Sequence, residues 1–292
     1  MTYPAGFDLE DFVARTLAED LGEGGDVTSA ATIPAEARFT ADMNCRQPVI
    51  VAGIAIAGAF FRALDPQVTI ETLVEDGQRI AAGTIMMRIT GQARAMLTAE
   101  RSALNTLQHL SGIATLTGHY VDAIAGTGAT LLDTRKTIPG LRLLEKYAAR
   151  MGGAVNHRMR LDDGVLIKDN HVGVAGDVAE AVRRARAAGT GLQVQVEVDR
   201  LSQIEPALAA GAERLLLDNM APPVLREAVA MVAGRVPLEA SGGVNLDTIR
   251  AIAESGVNFI SVGRITQSAP AVDIGLDYRS DRANGGPDCA GC

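Results

Sequence analysis

The sequence has 292 residues, of which 47% are hydrophobic and 21% are charged, and its 27 Lys and Arg against 35 Asp and Glu give a net charge of −8. This is the composition of a globular protein and excludes wholesale disorder. The acidic balance disfavours nucleic acid as a partner, because binding to a phosphate backbone needs a basic surface.

The sequence carries no pattern of membrane insertion or secretion. The longest apolar run, residues 49–61, is too short to span a bilayer and is interrupted by Gly53 and Gly58. The first residues lack a basic region followed by an apolar stretch, so we expect no signal peptide. Cys289 and Cys292 form a lone C-x-x-C, which is a weak metal or redox signal. We therefore expect no membrane partner and a cytoplasmic location.

The first hundred residues have the patterns of a mixed α/β unit. Apolar residues at helical spacing predict helices over residues 8–20 and 97–115. Short runs bounded by turn residues predict strands over residues 38–44, 68–73 and 84–89.

From about residue 129, short apolar runs alternate with amphipathic helical patterns. Strands are predicted over residues 130–133, 165–168, 192–198, 214–218, 237–240 and 258–262. Helices are predicted over residues 141–150, 177–188, 201–210, 224–232 and 246–254. This alternation predicts β-α-β units and a parallel sheet. The polar residues from Tyr278 onward are expected to form a tail.

Polar residues recur at the ends of successive predicted strands. Glu197, Asp218 and Glu239 are each 21 residues from the next, and Ser261 follows by 22. This spacing predicts polar side chains at the carboxyl-terminal rim of an α/β barrel. The alternative is an open doubly wound sheet, which concentrates such residues at one switch point, so we favour the barrel.

Two basic clusters follow predicted strands, one at Arg135 and Lys136 and one at His157, Arg158 and Lys168. Several positive charges around one pocket are costly unless an anion neutralises them, so the clusters predict a substrate with at least two acidic groups. The chain has only three lysines, and a Lys retained among arginines can mark a site that needs a compact ammonium. We assign Lys146, unlike Lys136 and Lys168, to a helix surface.

An acidic pair and a glycine-rich turn complete the candidate site. Glu197 and Asp218 repel each other unless a cation or proton lies between them, and carboxylate oxygens suit Mg²⁺. A general acid/base pair and ordinary salt bridges are the alternatives. The turn Ser241-Gly242-Gly243 precedes a helix and suits a phosphate, with Val262-Gly263 as a second wall of the cradle.

The segment LLDTRKTIPGLRLLEKYAARMGGAVNHRMRLDDGVLIKDNHV resembles the quinolinate phosphoribosyltransferase family, also called nicotinate-nucleotide pyrophosphorylase (carboxylating). Further motifs resemble the family in the same order: GDVTSAATIP, AERSALNTLQHLSGIAT, VQVEVD, LLLDNM, EASGGVN and FISVG. The resemblance implies an N-terminal α/β sandwich domain over residues 1–110, an incomplete α/β barrel of parallel strands over residues 111–277, and a polar tail over residues 278–292. It also implies a homodimer whose active site is shared between subunits.

The resemblance implies a decarboxylating phosphoribosyl transfer. Quinolinate and phosphoribosyl pyrophosphate would give nicotinate mononucleotide, CO₂ and pyrophosphate, with Mg²⁺, in NAD biosynthesis. The residues that match the family's quinolinate-carboxylate binders are Arg135, His157, Arg158 and Lys168. Arg101 matches the arginine that reaches the site of the partner subunit.

The resemblance also assigns the phosphoribosyl end of the site. Lys136 and Lys168 match contacts to phosphoribosyl pyrophosphate, while Glu197 and Asp218 match the residues that hold Mg²⁺ and the ribose hydroxyls. We expect these four to be the catalytic residues. The family's 5′-phosphate cradle is matched by Ser241, Gly242 and Gly263.

The chain departs from the family pattern directly after Gly263, where Arg264 and Gln267 replace residues that the family often has. This leaves room for a changed substrate. Two other functions are considered: a barrel lyase or aldolase that uses Lys168 as a Schiff-base amine, and a homologue that serves molybdenum transport.

Overall fold

The structure, a computed structural model, describes residues 3–279, which fall into two compact units. Unit 1 contains the described residues up to Gly112 and those from Ala271 onward, and unit 2 contains Ile113–Pro270. Among the helices of residues 3–279, none combines the length and the apolar character needed to cross a bilayer.

Unit 1 is built on a four-stranded antiparallel sheet in the order β12-β1-β5-β3. Its strands are β1 (Arg38–Cys45), β3 (Thr69–Thr72), β5 (Ile85–Gln92) and β12 (Ile274–Arg279). A second, two-stranded sheet pairs β2 (Val49–Ile50) with β4 (Arg79–Ile80). The helices are α1 (Leu9–Leu21), α2 (Val27–Thr32), α3 (Ile54–Leu64) and the start of α4 (Ala93–Ala123). The predicted helices and strands of this region are confirmed, and α4 is longer than predicted at both ends.

Side-chain caps determine where two helices of unit 1 begin. Asp8 accepts a hydrogen bond of 3.0 Å from the backbone N–H of Asp11 at the start of α1. At the start of α3, the carboxylate of Asp76 accepts from the backbone N–H groups of Gly53 and Ile54, at 2.9 and 3.0 Å. Asp76, which lies outside the apolar run of residues 49–61, therefore fixes the point at which α3 begins. The run is divided there into the short strand β2 and the buried helix α3.

The last strand differs from the expected domain boundary. The sequence assigns residues up to 277 to the barrel, whereas β12 pairs antiparallel with β1 in unit 1, from Thr40 opposite Arg279 to Cys45 opposite Ile274. Asp277 explains why this strand looks like a polar tail, since its carboxylate accepts from Asn44 at 2.6 Å and pairs with Arg46 at 2.7 Å. The remaining tail residues, with Cys289 and Cys292, lie outside the described residues.

Unit 2 alternates strands and helices. Its strands are β6 (Thr130–Leu132), β7 (Val165–Ile167), β8 (Val194–Val198), β9 (Arg214–Asp218), β10 (Leu238–Ser241) and β11 (Phe259–Ser261). Its helices, besides the end of α4, are α5 (Arg142–Met151), α6 (Asp169–Ala175), α7 (Val178–Ala187), α8 (Ile204–Ala209), α9 (Pro222–Val232), α10 (Ile249–Ala253) and α11 (Arg264–Gln267). All six predicted strands are confirmed.

The strand order identifies the winding of unit 2. Strands β7 to β11 lie side by side in chain order, and β11 then pairs with β6, the first strand of the unit. All of these pairs are parallel. A doubly wound sheet reverses direction at a switch point, whereas this order returns to its own first strand as a barrel does. The strands β6 and β7 remain the two edges of the sheet, so the predicted incomplete α/β barrel is confirmed.

Candidate active site

A cavity at the carboxyl ends of the parallel strands contains nearly all of the predicted site residues. It has a volume of about 790 Å³, and its lining residues all belong to unit 2. Ten of the eleven residues matched by motif line it: Arg135, Lys136, His157, Arg158, Lys168, Glu197, Asp218, Ser241, Gly242 and Gly263. Arg101 lies on α4 in unit 1, is exposed, and does not line this cavity.

The polar strand-end residues form two levels rather than the single ring that equal spacing predicts. Glu197 and Glu239 both lie in register with Leu216, whereas Asp218 lies in register with Ser241, two residues further along the strands. The connections between strands differ in length, so equal spacing along the chain does not preserve the level. Glu239 lines the cavity but is fully buried and not at its rim, whereas Glu197 at the same level is partly exposed, so the level alone does not decide which carboxylate meets solvent.

Glu239 is the centre of a buried polar network below the cavity. Its Oε2 atom lies 2.8 Å from the Gln195 side-chain nitrogen, 2.7 Å from the Arg214 guanidinium and 3.3 Å from His157 Nε2. Arg214 also stacks over the ring of Phe259 at 4.0 Å. Burial raises the pKa of the Glu239 carboxyl, but the surrounding donors outweigh burial and hold that pKa below its ordinary value. Glu239 is therefore an ionised acceptor.

Both ring nitrogens of His157 are engaged by the protein. The backbone N–H of Arg158 donates to Nδ1 at 2.7 Å. Nε2 faces Glu239 Oε2 at 3.3 Å. His157 is thus held in the wall of the cavity by a contact at each ring nitrogen.

A buried ion pair anchors the two segments that carry the cavity arginines. The ammonium of Lys146 pairs with Asp133, and both side chains are 0% exposed. Asp133 also accepts from the Asn156 side chain at 2.6 Å and from the His157 backbone N–H at 2.8 Å. Burial raises the pKa of Asp133 and lowers the pKa of Lys146, and each partner opposes the shift of the other. The assignment of Lys146 to a helix surface is wrong, because α5 turns this side chain inward to Asp133.

The cavity holds more positive charge than its own acids neutralise. Lys168 pairs with Glu197 at 2.8 Å, whereas the other lining cations form no ion pair among residues 3–279: Arg135, Lys136, Arg158 and Arg264. The Nε atom of Arg135 is buried without a hydrogen-bond partner. Burial and the charge of Arg135 lower the pKa of Arg158. Two guanidinium groups held near each other in this way favour an anion between them.

The acidic pair lies on neighbouring strands, with Glu197 on β8 and Asp218 at the end of β9. Glu197 Oε2 accepts from Lys168, and Asp218 Oδ2 accepts from the side chain of Asn219 at 2.7 Å. No group of three or more potential metal-ligating side chains occurs in the part of the chain that is described. A metal here would need oxygen ligands from a substrate to complete its coordination.

The glycine-rich turn has a backbone that side chains would obstruct. Gly242 and Gly243 have φ angles of +90° and +62°, a region in which glycine is favoured. A Cβ at Gly242 would collide with the side chain of Asn219, and one at Gly263 would lie 2.7 Å from Lys136 Cδ. These glycines therefore let the side chains of Asn219 and Lys136 pack directly against the backbone of the cavity wall. A glycine-rich backbone of this kind before a helix suits a phosphate cradle.

Sequence reasoning missed Asn219, which lines the cavity with a φ angle of +54°. Its signal is its position directly after Asp218, because Asn tolerates the left-handed conformation needed in such a turn. It also missed Gln195 and Arg214, which lie at one level of β8 and β9. Their polar side chains in otherwise apolar strands were the available signal.

Fold and site together define an α/β-barrel enzyme that binds a phosphorylated polyanion, because unpaired cations, two carboxylates and a glycine-rich cradle converge on one cavity. Family models for the quinolinate phosphoribosyl transferase N-terminal and C-terminal domains match residues 26–111 and 113–277. The chain belongs to the quinolinate phosphoribosyl transferase family.

Named relatives agree with this assignment. The chain is 45% identical to the nicotinate-nucleotide pyrophosphorylase (carboxylating) of Mycobacterium leprae over 277 residues, covering 91% of this chain and 96% of that protein. It is 40% identical to the chloroplastic enzyme of the same name from Arabidopsis thaliana, covering 95% and 84%. The solved nicotinate-nucleotide pyrophosphorylase of Francisella tularensis superimposes with a TM-score of 0.89 at 40% identity, covering 93% and 96%.

Proposed function

We propose that this protein transfers the phosphoribosyl group of phosphoribosyl pyrophosphate to quinolinate and releases CO₂ and pyrophosphate, giving nicotinate mononucleotide for NAD biosynthesis. The observation that carries the proposal is the pair Arg135 and Arg158, two half-buried guanidinium groups that form no ion pair in the described residues and repel each other, with only the charge of Asp163 acting on Arg158 in the opposite sense. Quinolinate is a pyridine with two adjacent carboxylates, and such a dianion would remove their mutual repulsion.

The cations also serve the decarboxylation. Loss of CO₂ leaves an electron pair on a ring carbon beside the nitrogen, and fixed positive charges near that carbon stabilise it. Arg135, Arg158 and Lys168 surround the space in which the ring would lie. His157 contributes through its hydrogen bonds, which hold the backbone of Arg158 in place. No covalent nucleophile is needed, since positioning and charge are sufficient.

The phosphoribosyl group would lie across the other side of the cavity. Breaking its bond to pyrophosphate builds positive charge on the sugar carbon, and Glu197 and Asp218, which both line the cavity, would stabilise that charge and accept from the ribose hydroxyls. Lys136 lies beside Gly263 and would bind phosphate oxygens. The 5′-phosphate would rest in the cradle formed by Ser241, Gly242 and Gly263.

Glu197 and Asp218 are also the residues that would hold Mg²⁺. Two carboxylates fit an ion that takes one or two of them and fills its remaining positions with phosphate oxygens and water. When bound, the ion would neutralise charge on the leaving pyrophosphate. The ion pair of Lys168 with Glu197 leaves the other carboxylate oxygen of Glu197 for such a role.

We further propose a homodimer in which Arg101 reaches the cavity of the partner subunit. Arg101 is exposed and lies outside its own chain's cavity. Mixing an inactive Arg101→Ala variant with an inactive Arg135→Ala variant should restore activity, because a mixed dimer contains one site with both arginines intact. Each variant alone is the control. Failure of the mixture to regain activity, although subunit exchange is demonstrated by mass spectrometry, would reject the shared site.

The direct test of the function uses the purified protein with quinolinate, phosphoribosyl pyrophosphate and Mg²⁺. We expect nicotinate mononucleotide and CO₂ in equal amounts, and loss of activity when EDTA removes the metal and its return when Mg²⁺ is restored. Absence of product from folded protein would contradict the proposal. Calorimetry with molybdate in place of quinolinate distinguishes the transport homologue, for which molybdate alone would bind.

The ion pair of Lys168 argues against the Schiff-base lyase. The Lys168 ammonium donates to the Glu197 carboxylate at 2.8 Å, an ion pair that would have to be broken before the amine could attack a carbonyl. Location in the cytoplasm is part of the proposal. Cys45, a buried cysteine with a free thiol, fits a reducing compartment.

A further inference from the structure

Arg264 is a second unpaired cation beside the phosphate cradle. It follows Gly263 directly, lines the same cavity, and forms no ion pair or side-chain hydrogen bond among residues 3–279. The alkyl chain of Lys136 packs against Gly263 so closely that a Cβ at Gly263 would lie 2.7 Å from its Cδ. Two cations that form no ion pair among residues 3–279 are therefore neighbours of one glycine, Lys136 by packing and Arg264 along the chain.

The charge of Arg264 also acts on the neighbouring elements. Tyr120 of α4 is buried, and burial raises the pKa of its hydroxyl, whereas the charge of Arg264 lowers that pKa. Asp247, which follows the glycine-rich turn, raises the same pKa. Arg264 and Asp247 thus both lie within electrostatic range of Tyr120.

Solvation alone is a poor explanation for this arrangement. Several exposed arginines of unit 2 have an acidic partner, including Arg160, Arg183, Arg184, Arg186, Arg200, Arg235 and Arg250. Arg264 and Arg226, both exposed, have none among residues 3–279, but of these two only Arg264 lines the cavity that already contains Arg135, Lys136 and Arg158. Adding a cation to such a cavity raises the repulsion within it unless an anion binds there.

We propose that Arg264 is a further phosphate-binding residue, whose guanidinium pairs with the 5′-phosphate of the substrate and product on the side of the cradle next to Lys136. This deepens the proposed function and rests on it. A phosphate monoester presents two or three oxygens to one direction, and a guanidinium can bind two of them with parallel N–H groups. The backbone N–H groups of the glycine-rich turn would then position the phosphate, and the guanidinium of Arg264 would neutralise part of its negative charge.

The test measures binding of nicotinate mononucleotide and of nicotinate riboside, which lacks the phosphate, to the full chain by calorimetry. Arg264→Gln should weaken binding of the mononucleotide by about tenfold or more and leave binding of the riboside unchanged. Arg264→Lys should keep part of the affinity, since it keeps the charge but loses the paired N–H groups. Arg226→Gln is the matched control, because Arg226 is exposed on α9 and lies outside the cavity.

Equal affinity of Arg264→Gln and the unaltered protein for the mononucleotide would overturn the inference. Equal weakening of both ligands would overturn it as well, since the effect would then not depend on the phosphate. Failure of the unaltered protein to bind either the mononucleotide or quinolinate would instead reject the proposed function. Circular dichroism of each variant shows whether the fold is retained, and Arg264→Lys gives a second measure should the Gln variant lose its fold.

Discussion

Replacing Arg135 with methionine is expected to weaken quinolinate binding by about a hundredfold while making the unliganded protein more stable. The affinity falls because two charge-assisted hydrogen bonds to a carboxylate are lost, worth about 3 kcal/mol together. The stability rises by about 0.5–1 kcal/mol, because the variant removes a buried Nε atom without a partner and relieves the repulsion of Arg158. Calorimetry with quinolinate and urea unfolding without ligand measure the two effects.

Two controls separate this result from a general disturbance of the site. Arg226→Met removes an exposed guanidinium outside the cavity and should change neither quantity. Asp218→Asn should lower kcat with little change in quinolinate affinity, because Asp218 is assigned to the sugar end and its carboxylate contacts Asn219 and no residue assigned to quinolinate. An Arg135→Met protein that unfolds at lower urea concentration than the unaltered chain would show that Arg135 stabilises the fold, and the anion-site argument would lose its basis.

Local patterns in the sequence are enough to predict most of the fold. Each strand of unit 2 is a short apolar run between amphipathic helices, so its place along the chain follows from periodicity. The position of β12 does not follow in this way, since its polar residues gain their partners from β1, more than two hundred residues earlier. Pairing across that distance leaves no local signal.

The candidate site, like the fold, could be predicted from the sequence only in part. Motifs identified ten residues that line one cavity. Eight of them stand at or just after strand ends, which converge in a barrel, and the hydrogen bond of the His157 backbone to Asp133 brings the other two, His157 and Arg158, beside them. The burial of Glu239 and the orientation of His157 depend on strand register and on hydrogen-bond partners. Neither is encoded in the spacing of residues along the chain, so sequence reasoning placed Glu239 at the rim, whereas the structure buries it.

The buried ion pair of Lys146 with Asp133 allows a direct test of how much a buried charge contributes to the free energy of unfolding. Replacing it with methionine is expected to cost about 3–5 kcal/mol of unfolding free energy, because Asp133 is left charged and fully buried without its partner. The loss should depend on pH. Burial already raises the pKa of Asp133, and removing the ammonium raises it further above the unfolded value, so the folded variant binds a proton more readily than the unfolded chain. Stability of the variant should therefore increase as pH falls from 8 to 5.5.

Urea unfolding at both pH values tests this account, with two reference variants. Arg160→Met breaks an ion pair whose side chains are both 72% exposed and should cost less than about 1 kcal/mol at either pH. Asp133→Asn combined with Lys146→Met removes the buried charge and should recover most of the loss, while the amide still accepts from the His157 backbone N–H. An equal loss for Lys146→Met at pH 5.5 and 8, or no recovery in the double variant, would mean that lost packing and not an unpaired carboxylate accounts for the instability. In that case Asp133 would not be the anchor that holds the arginine-bearing segments around the cavity.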